Sequence, residues 1–292
     1  MRSLRVFAAV GAVLVTVLAT PQPASAAADG PRVLVFTKVS DPKQAHRSTP
    51  EAVNLLEMNG RRYGYNVDAS ADAAKFSAKS LADYDVVMFL NTYGDVLDDG
   101  QQKAFQTWMS DGGGFVGVHG AARTEPDWDY YHDLVGAYES EGEGGPLAEH
   151  DVTVDTELPA AEHAPAEMDD HNDQWYQFDR DPGKLKKMGI VANAPVVGDD
   201  LSPVTWARPF EGGRTWYTSL GHSAKAYEDG NFTKLLRSGI WWTAGEKNAP
   251  LVSATDAAPP WQYGLSFLAW IAAVAIGGGV AVVKLNRREA LP

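Results

Sequence analysis

No cysteine occurs anywhere in the 292 residues. Disulfides are therefore excluded, and so is every form of thiol chemistry, from nucleophile to redox pair. Basic residues are the second shortage: 25 Lys and Arg stand against 38 Asp and Glu, a formal net charge of −13. A field of that sign repels phosphate backbones, so nucleic acid is excluded as an expected partner. No internal repeat is present, and residues 247–262 contain no Leu-Pro-x-Thr-Gly sorting motif. Without covalent staples the fold must rest on an apolar core, which a domain of about 200 residues is large enough to build.

Both ends of the chain carry apolar runs. Arg2 and Arg5 precede an apolar stretch from Val6 to Ala19, and Ala24-Ser25-Ala26 offers a small-x-small cleavage site. This is the three-part pattern of a secretory signal, residues 1–26. Residues 264–283 are apolar apart from Ser266; about twenty residues at ~1.5 Å rise span the ~30 Å hydrocarbon core of a bilayer. Trp261, Tyr263 and Trp270 flank one side, and Lys284, Arg287 and Arg288 the other. Aromatic rings favour the membrane interface and basic residues stay inside. The expected topology is single-pass in the cell membrane: a large domain (31–246) outside, a Pro-containing linker (247–262), a transmembrane helix (263–283) and a basic cytoplasmic tail (284–292).

Within the large domain, helix and strand patterns alternate. Strands are expected at Val33–Thr37, Tyr65–Ala69, Asp85–Leu90 and Phe115–Val118. Between them, Thr49-Pro50-Glu51 opens a helix that closes near Gly64, and Asp98–Ser110 places Phe105, Trp108 and Met109 on one face. A short helical stretch with Trp128, Tyr131 and Leu134 follows. Continuous apolar strands joined by helices predict a doubly wound, mostly parallel α/β sheet. Short strands at 150–155, 174–178, 188–192 and 203–207 suggest an antiparallel edge, before a strand at 214–220 and a closing helix within 223–244.

Asp111-Gly-Gly-Gly-Phe-Val-Gly-Val-His119-Gly-Ala-Ala122 is the most informative segment. Small residues on both sides of one reactive side chain let a strand turn sharply into a helix, as at the nucleophile elbow of hydrolases. In open α/β sheets, ligands bind beyond the carboxyl ends of the strands, near the topological switch point. That rule gathers residues from separate loops: His46 after the first strand, Asn91, Thr92 and Tyr93 after the third, His119 after the fourth, and His222 after the last. Asp173-Gln174-Trp175-Tyr176 adds a carboxylate beside two aromatics, suited to orienting a histidine and to stacking on a pyranose face. Neighbouring His171, Asp169 and Asp170 are a candidate metal set.

In order and spacing, His46-Arg47, Leu90-Asn-Thr-Tyr-Gly-Asp95, Gly112-Gly-Gly-Phe-Val-Gly-Val-His119, Asp173-Gln-Trp-Tyr176 and Gly221-His222 resemble the ThuA-like (trehalose-utilisation) family. The resemblance covers roughly residues 32–245. It implies a flavodoxin-like, class I glutamine amidotransferase-like fold, here with His119 at the elbow where a cysteine is usual. It also implies carbohydrate metabolism, in particular keto-sugars or keto-disaccharides formed by a partner sugar dehydrogenase. His119, His222 and Asp173 then become the expected catalytic residues, with His46, Asn91, Thr92, Tyr93, Trp175 and Tyr176 binding substrate. No cofactor is required, although a divalent metal is left open. Two His-Pro segments common in the family are absent: after Gly136-Ala-Tyr-Glu139 the chain runs into Ser140-Glu-Gly-Glu-Gly-Gly145 where the first is usual, and Leu158-Pro159 stands in place of the second. An isomerase or lyase is the first expectation. A non-catalytic module that binds carbohydrate or another protein, and a metal-dependent hydrolase, are the alternatives.

Overall fold

A computed structural model describes residues 30–140, 145–198 and 200–245. The expected signal, transmembrane helix and tail, and all of the linker, lie outside them. Among the described residues no helix is long and apolar enough to cross a membrane.

The first four strands are β1 (Arg32–Phe36), β2 (Asn66–Ser70), β3 (Val86–Leu90) and β4 (Gly114–Val118). The alternating faces of β1 explain its place in the middle of a three-layer fold. Val33 and Val35 enter one core with Leu56, Leu235, Leu236 and Ile240, while Leu34 and Phe36 enter a second with Phe105, Met109, Tyr131 and Leu134. A strand buried on both faces needs an unbroken apolar run, which is why β3 reads Val-Val-Met-Phe-Leu. The first core is covered by α1 (Thr49–Tyr63) and α6 (Gly230–Thr243). The second is covered by α2 (Ala78–Leu81), α3 (Asp99–Ser110) and α4 (Asp129–Val135). Helix ends follow local chemistry. Asp98 and Gln101 form a reciprocal capping box on α3, and α1 stops at Gly64 with φ +83°.

The remaining strands are β5 (Leu147–Val154), β6 (Glu167–Gln174), β7 (Gly189–Val197), β8 (Asp200–Phe210) and β9 (Gly213–Thr218). They complete one nine-stranded sheet in the order β2-β1-β3-β4-β9-β8-β7-β5-β6. The pairs from β2 to β9 are parallel and those from β9 to β6 antiparallel. The sheet is therefore mixed, and its antiparallel part is a four-strand extension beyond β9 instead of a single edge. The largest correction concerns the expected strand at 174–178. The strand there is β6, which ends at Gln174, so Asp173 closes a strand and does not open one. The closing helix is also two helices, α5 (Ala224–Glu228) and α6.

Because β1 lies between β2 and β3, the chain moves outward in both directions from β1. This reversal makes the topological switch point. The loops after β1, β3, β4 and β9 open at the same edge of the sheet.

Candidate functional site

His119 follows directly on the last residue of β4 and adopts φ +48°, a left-handed conformation uncommon outside glycine. Strain of this kind is typical of elbows that must aim one side chain. Gly120 makes the turn feasible: a Cβ there would meet the Thr92 carbonyl oxygen at 2.7 Å. The Tyr217 hydroxyl donates to the His119 carbonyl (3.0 Å), pinning the turn to β9.

The His119 ring is fully buried. Its Nδ1 lies 2.7 Å from the Ser219 carbonyl oxygen. A carbonyl only accepts, so Nδ1 carries the proton and Nε2 presents a lone pair. That lone pair faces the Tyr176 hydroxyl at 2.9 Å and His222 Nδ1 at 3.0 Å. His46, in the loop between β1 and α1, completes a near-symmetric trio. Ring centroids are 4.9 Å apart for His46–His119, 5.0 Å for His46–His222 and 5.0 Å for His119–His222, with interplanar angles of 89°, 82° and 74°. One nitrogen from each ring lies within 4.8 Å of the other two.

Burial disfavours the charged form of all three. The His46 pKa is pushed down to about 4, by burial first and then by the neighbouring His222 and Arg123. Complete burial takes His119 down to about 3, and burial also lowers His222. At neutral pH the site thus holds three uncharged imidazoles with lone pairs available to a proton, a carbonyl carbon or a metal ion.

Asp173 also belongs to this centre, but through the backbone. Its carboxylate accepts from Gly221 N–H (2.7 Å), His222 N–H (3.0 Å) and Gln174 N–H (2.9 Å), with His171 Nε2 at 3.2 Å. It fastens the loop after β9 onto the end of β6, and so positions His222 through its main chain and not through its ring. Burial works against ionisation, yet the His171 contact, the nearby His119 and the Gly221 N–H outweigh it and hold the Asp173 pKa below the ordinary value. The Ser48 hydroxyl donates to the His222 carbonyl (2.7 Å), joining the start of α1 to the same loop.

His46 and His222 border a cleft of about 720 Å³, together with Lys43, Arg47, Arg123 and Gln174. His119 and Tyr176 lie behind this wall. Asn91, buried with φ +51°, reaches toward Ser48 from below. The other expected substrate contacts fall elsewhere. Thr92 is buried against Thr124 (2.7 Å), and the Tyr93 backbone pairs with residues 38–40. Trp175 is only 5% exposed, its indole N–H donates to the Ala148 carbonyl (2.9 Å), and its edge borders a separate pocket beside His150. As placed, it offers no open face for stacking on a pyranose. The candidate metal set around His171 also separates: Asp169 and Asp170 are exposed, while His171 is committed to Asp173 and Asp229.

Arg123 is the residue that sequence reasoning missed. It lies one short turn after His119, pairs with Glu139 (3.1 Å) and leaves a buried guanidinium nitrogen, Nη2, without a hydrogen-bond partner among the described residues. Its position four residues after the elbow was the available clue.

A search of curated proteins finds no match for this chain. Among solved structures, a ThuA-like protein from Bacteroides uniformis superposes with TM-score 0.63 at 21% identity, covering 76% of this chain and 95% of its own. A ThuA-like protein from Parabacteroides merdae gives TM-score 0.60 at 20% identity, with 78% and 96% covered. A β-galactosidase from Bacillus circulans sp. alkalophilus shares the fold at TM-score 0.50 and 12% identity, over 74% of this chain and 31% of that one. The family model for ThuA, trehalose utilisation, matches residues 32–243. Since that span takes in almost the whole described domain, the chain belongs to the ThuA trehalose-utilisation family.

Proposed function

We propose that this protein is an exported, membrane-anchored ThuA-like domain that moves a proton beside the carbonyl of a keto-sugar or keto-disaccharide, as an isomerase or lyase does. The observation that carries the reading is the convergence of neutral His46, His119 and His222 behind one polar cleft at the switch point of the sheet. Membership of a carbohydrate-utilisation family supports the substrate class. The secretory pattern of residues 1–26 and the apolar run at 264–283 support the location.

A carbonyl acidifies the neighbouring C–H because the electron pair released can move onto oxygen as an enediolate. Such a reaction needs a proton acceptor and a group that favours negative charge on that oxygen. Neutral His222 and His46 border the cleft and offer the lone pairs. Arg123 on the same wall carries a cation whose Nη2 has no hydrogen-bond partner among the described residues. Asp173 holds His222 in place. A keto-sugar is an oxidised sugar, so a dehydrogenase that removes a hydride from a secondary hydroxyl must supply it.

The test is a panel of keto-sugars and their parent sugars incubated with the protein in D2O and followed by NMR. Deuterium uptake beside the carbonyl, or loss of the leaving sugar, is expected for a keto-sugar and should fall at least ~100-fold in His222→Ala. Saturable sugar binding with neither exchange nor product would replace this reading with a non-catalytic carbohydrate module.

A further inference from the structure

The packing of the three imidazoles is unfavourable as it stands. The lone pair on His119 Nε2 can take one proton fully, and the Tyr176 hydroxyl at 2.9 Å is placed to donate it. His222 Nδ1 at 3.0 Å then meets a lone pair already in use. His46 Nδ1 is buried and has no hydrogen-bond partner among the described residues. The uncharged rings are turned nearly perpendicular to one another with centroids about 5 Å apart, and one nitrogen of each converges on the other two.

We propose that His46, His119 and His222 form a mononuclear site for a divalent transition metal of the zinc class, with a further coordination position open to the cleft. Metal–imidazole bonds of ~2.0–2.1 Å in tetrahedral array separate ligand nitrogens by roughly 3.4 Å. The His119–His222 pair is already near that spacing, and the whole set lies within 4.8 Å. Two of the three ligands are already held in place. The Ser219 carbonyl fixes the His119 tautomer with Nε2 inward, a contact of the kind that orients metal-bound histidines. Asp173 and Ser48 hold the His222 main chain from opposite sides.

The donor set also selects the metal. Three nitrogens with no carboxylate suit zinc, cobalt, nickel, copper or iron(II), whereas magnesium and calcium require oxygen. Asp173 is the nearby carboxylate, and its oxygens are taken by Gly221, His222, Gln174 and His171. Three protein ligands with one open position make a catalytic site rather than a structural one. The site itself stands on geometry alone, so its test needs no sugar.

The full chain, expressed without a polyhistidine tag and purified without chelator, is analysed by elemental mass spectrometry. It is then stripped and titrated with Co2+ and with Zn2+. One equivalent of transition metal per chain is expected, with a cobalt visible spectrum typical of four- or five-coordination. Affinity should fall by more than ~100-fold in His46→Gln and His222→Gln, because removing a ligand costs more than the 10–100-fold loss typical of its supporting contacts. His163→Gln, outside the trio, should bind as the wild type does. The glutamine variants keep a neutral polar side chain, and circular dichroism confirms that they fold. Absence of stoichiometric binding to the folded wild type would overturn the proposal. Equal binding by the wild type and both ligand variants would overturn it too, since the acidic surface would then be the binder. Loss of deuterium exchange with metal binding intact would count against the keto-sugar reading alone.

Discussion

Two histidine groups lie on either side of Asp173, and they have been driven in opposite directions. His46, His119 and His222 are held uncharged, with pKa values lowered by burial. His171 is also buried, and burial works against its charged form. Yet hydrogen bonds and charge from Asp173 and Asp229 prevail, and its pKa is raised. What separates the two is the direction of the carboxylates. Both aim at His171, whereas Asp173 offers His222 only a bond to its backbone N–H and makes no hydrogen bond to the His119 ring. Burial alone discharges an imidazole, and a carboxylate aimed at the ring restores the charge. One aspartate thus keeps an ion pair on its outer side and an uncharged, ligand-ready trio on its inner side.

The largest effect should come from removing that aspartate. Asp173→Ala leaves three backbone N–H groups and the Nε2 of buried His171 without their acceptor, while Asp229 still faces His171 Nδ1. Losing one partner of a buried pair costs about 3–5 kcal/mol, so chemical denaturation should show a marked fall in stability. The His171 pKa, followed by NMR, should drop toward the values of the trio. A variant that melts like the wild type would show that the two groups do not depend on Asp173.

Acid sharpens the contrast next. The trio is neutral when folded, whereas an unfolded histidine titrates at its ordinary value of 6.5. Its contribution is therefore present above pH 6.5 and is lost as pH falls toward about 4 for His46 and about 3 for His119. Between pH 7 and 5.5 this amounts to roughly 1.3 kcal/mol for each of His46 and His119, or about 2–3 kcal/mol together. His171 has the opposite sign: its raised pKa adds stability that is complete below the unfolded value and is lost as pH rises through the folded one. Below pH 6.5 it is charged in both states and adds no slope. Denaturant midpoints across this range should fall with acid in the wild type. A flat profile would mean the trio is not held neutral.

The smallest effect tests the tautomer within the trio. Tyr176→Phe removes the hydroxyl that faces His119 Nε2 while keeping the ring stacked at 4.4 Å. It should cost only about 1 kcal/mol, with the fold unchanged by circular dichroism. A loss several times larger would make Tyr176 a structural support of the elbow instead of a hydrogen-bond partner at its tip.

The point at which sequence reading failed is informative. β6 reads Glu-Met-Asp-Asp-His-Asn-Asp-Gln, and its buried positions include His171 and Asp173. A strand whose inward face carries an ion pair shows no apolar alternation, and a register shift between His150 and Val152 in its partner disturbs the period further. Local rules give way where polar residues must be buried together. Trp175 was displaced for the same reason. Once the strand ends at Gln174, the following aromatics turn inward, Tyr176 to His119 and Trp175 to the backbone of Ala148.

By itself the sequence determined the alternation of strands and helices in the first half, the glycine-flanked elbow at His119, and the delivery of His46, His119 and His222 to one edge of the sheet. These follow from local propensity and from the rule that loops at the carboxyl ends of parallel strands share an edge. Tertiary structure alone decided which nitrogens face one another, that Asp173 grips a backbone and an outer histidine, and that Arg123 joins the cleft wall. Those outcomes depend on side-chain direction and strand register, which are set by contacts between residues up to 174 positions apart. No periodicity along the chain encodes them.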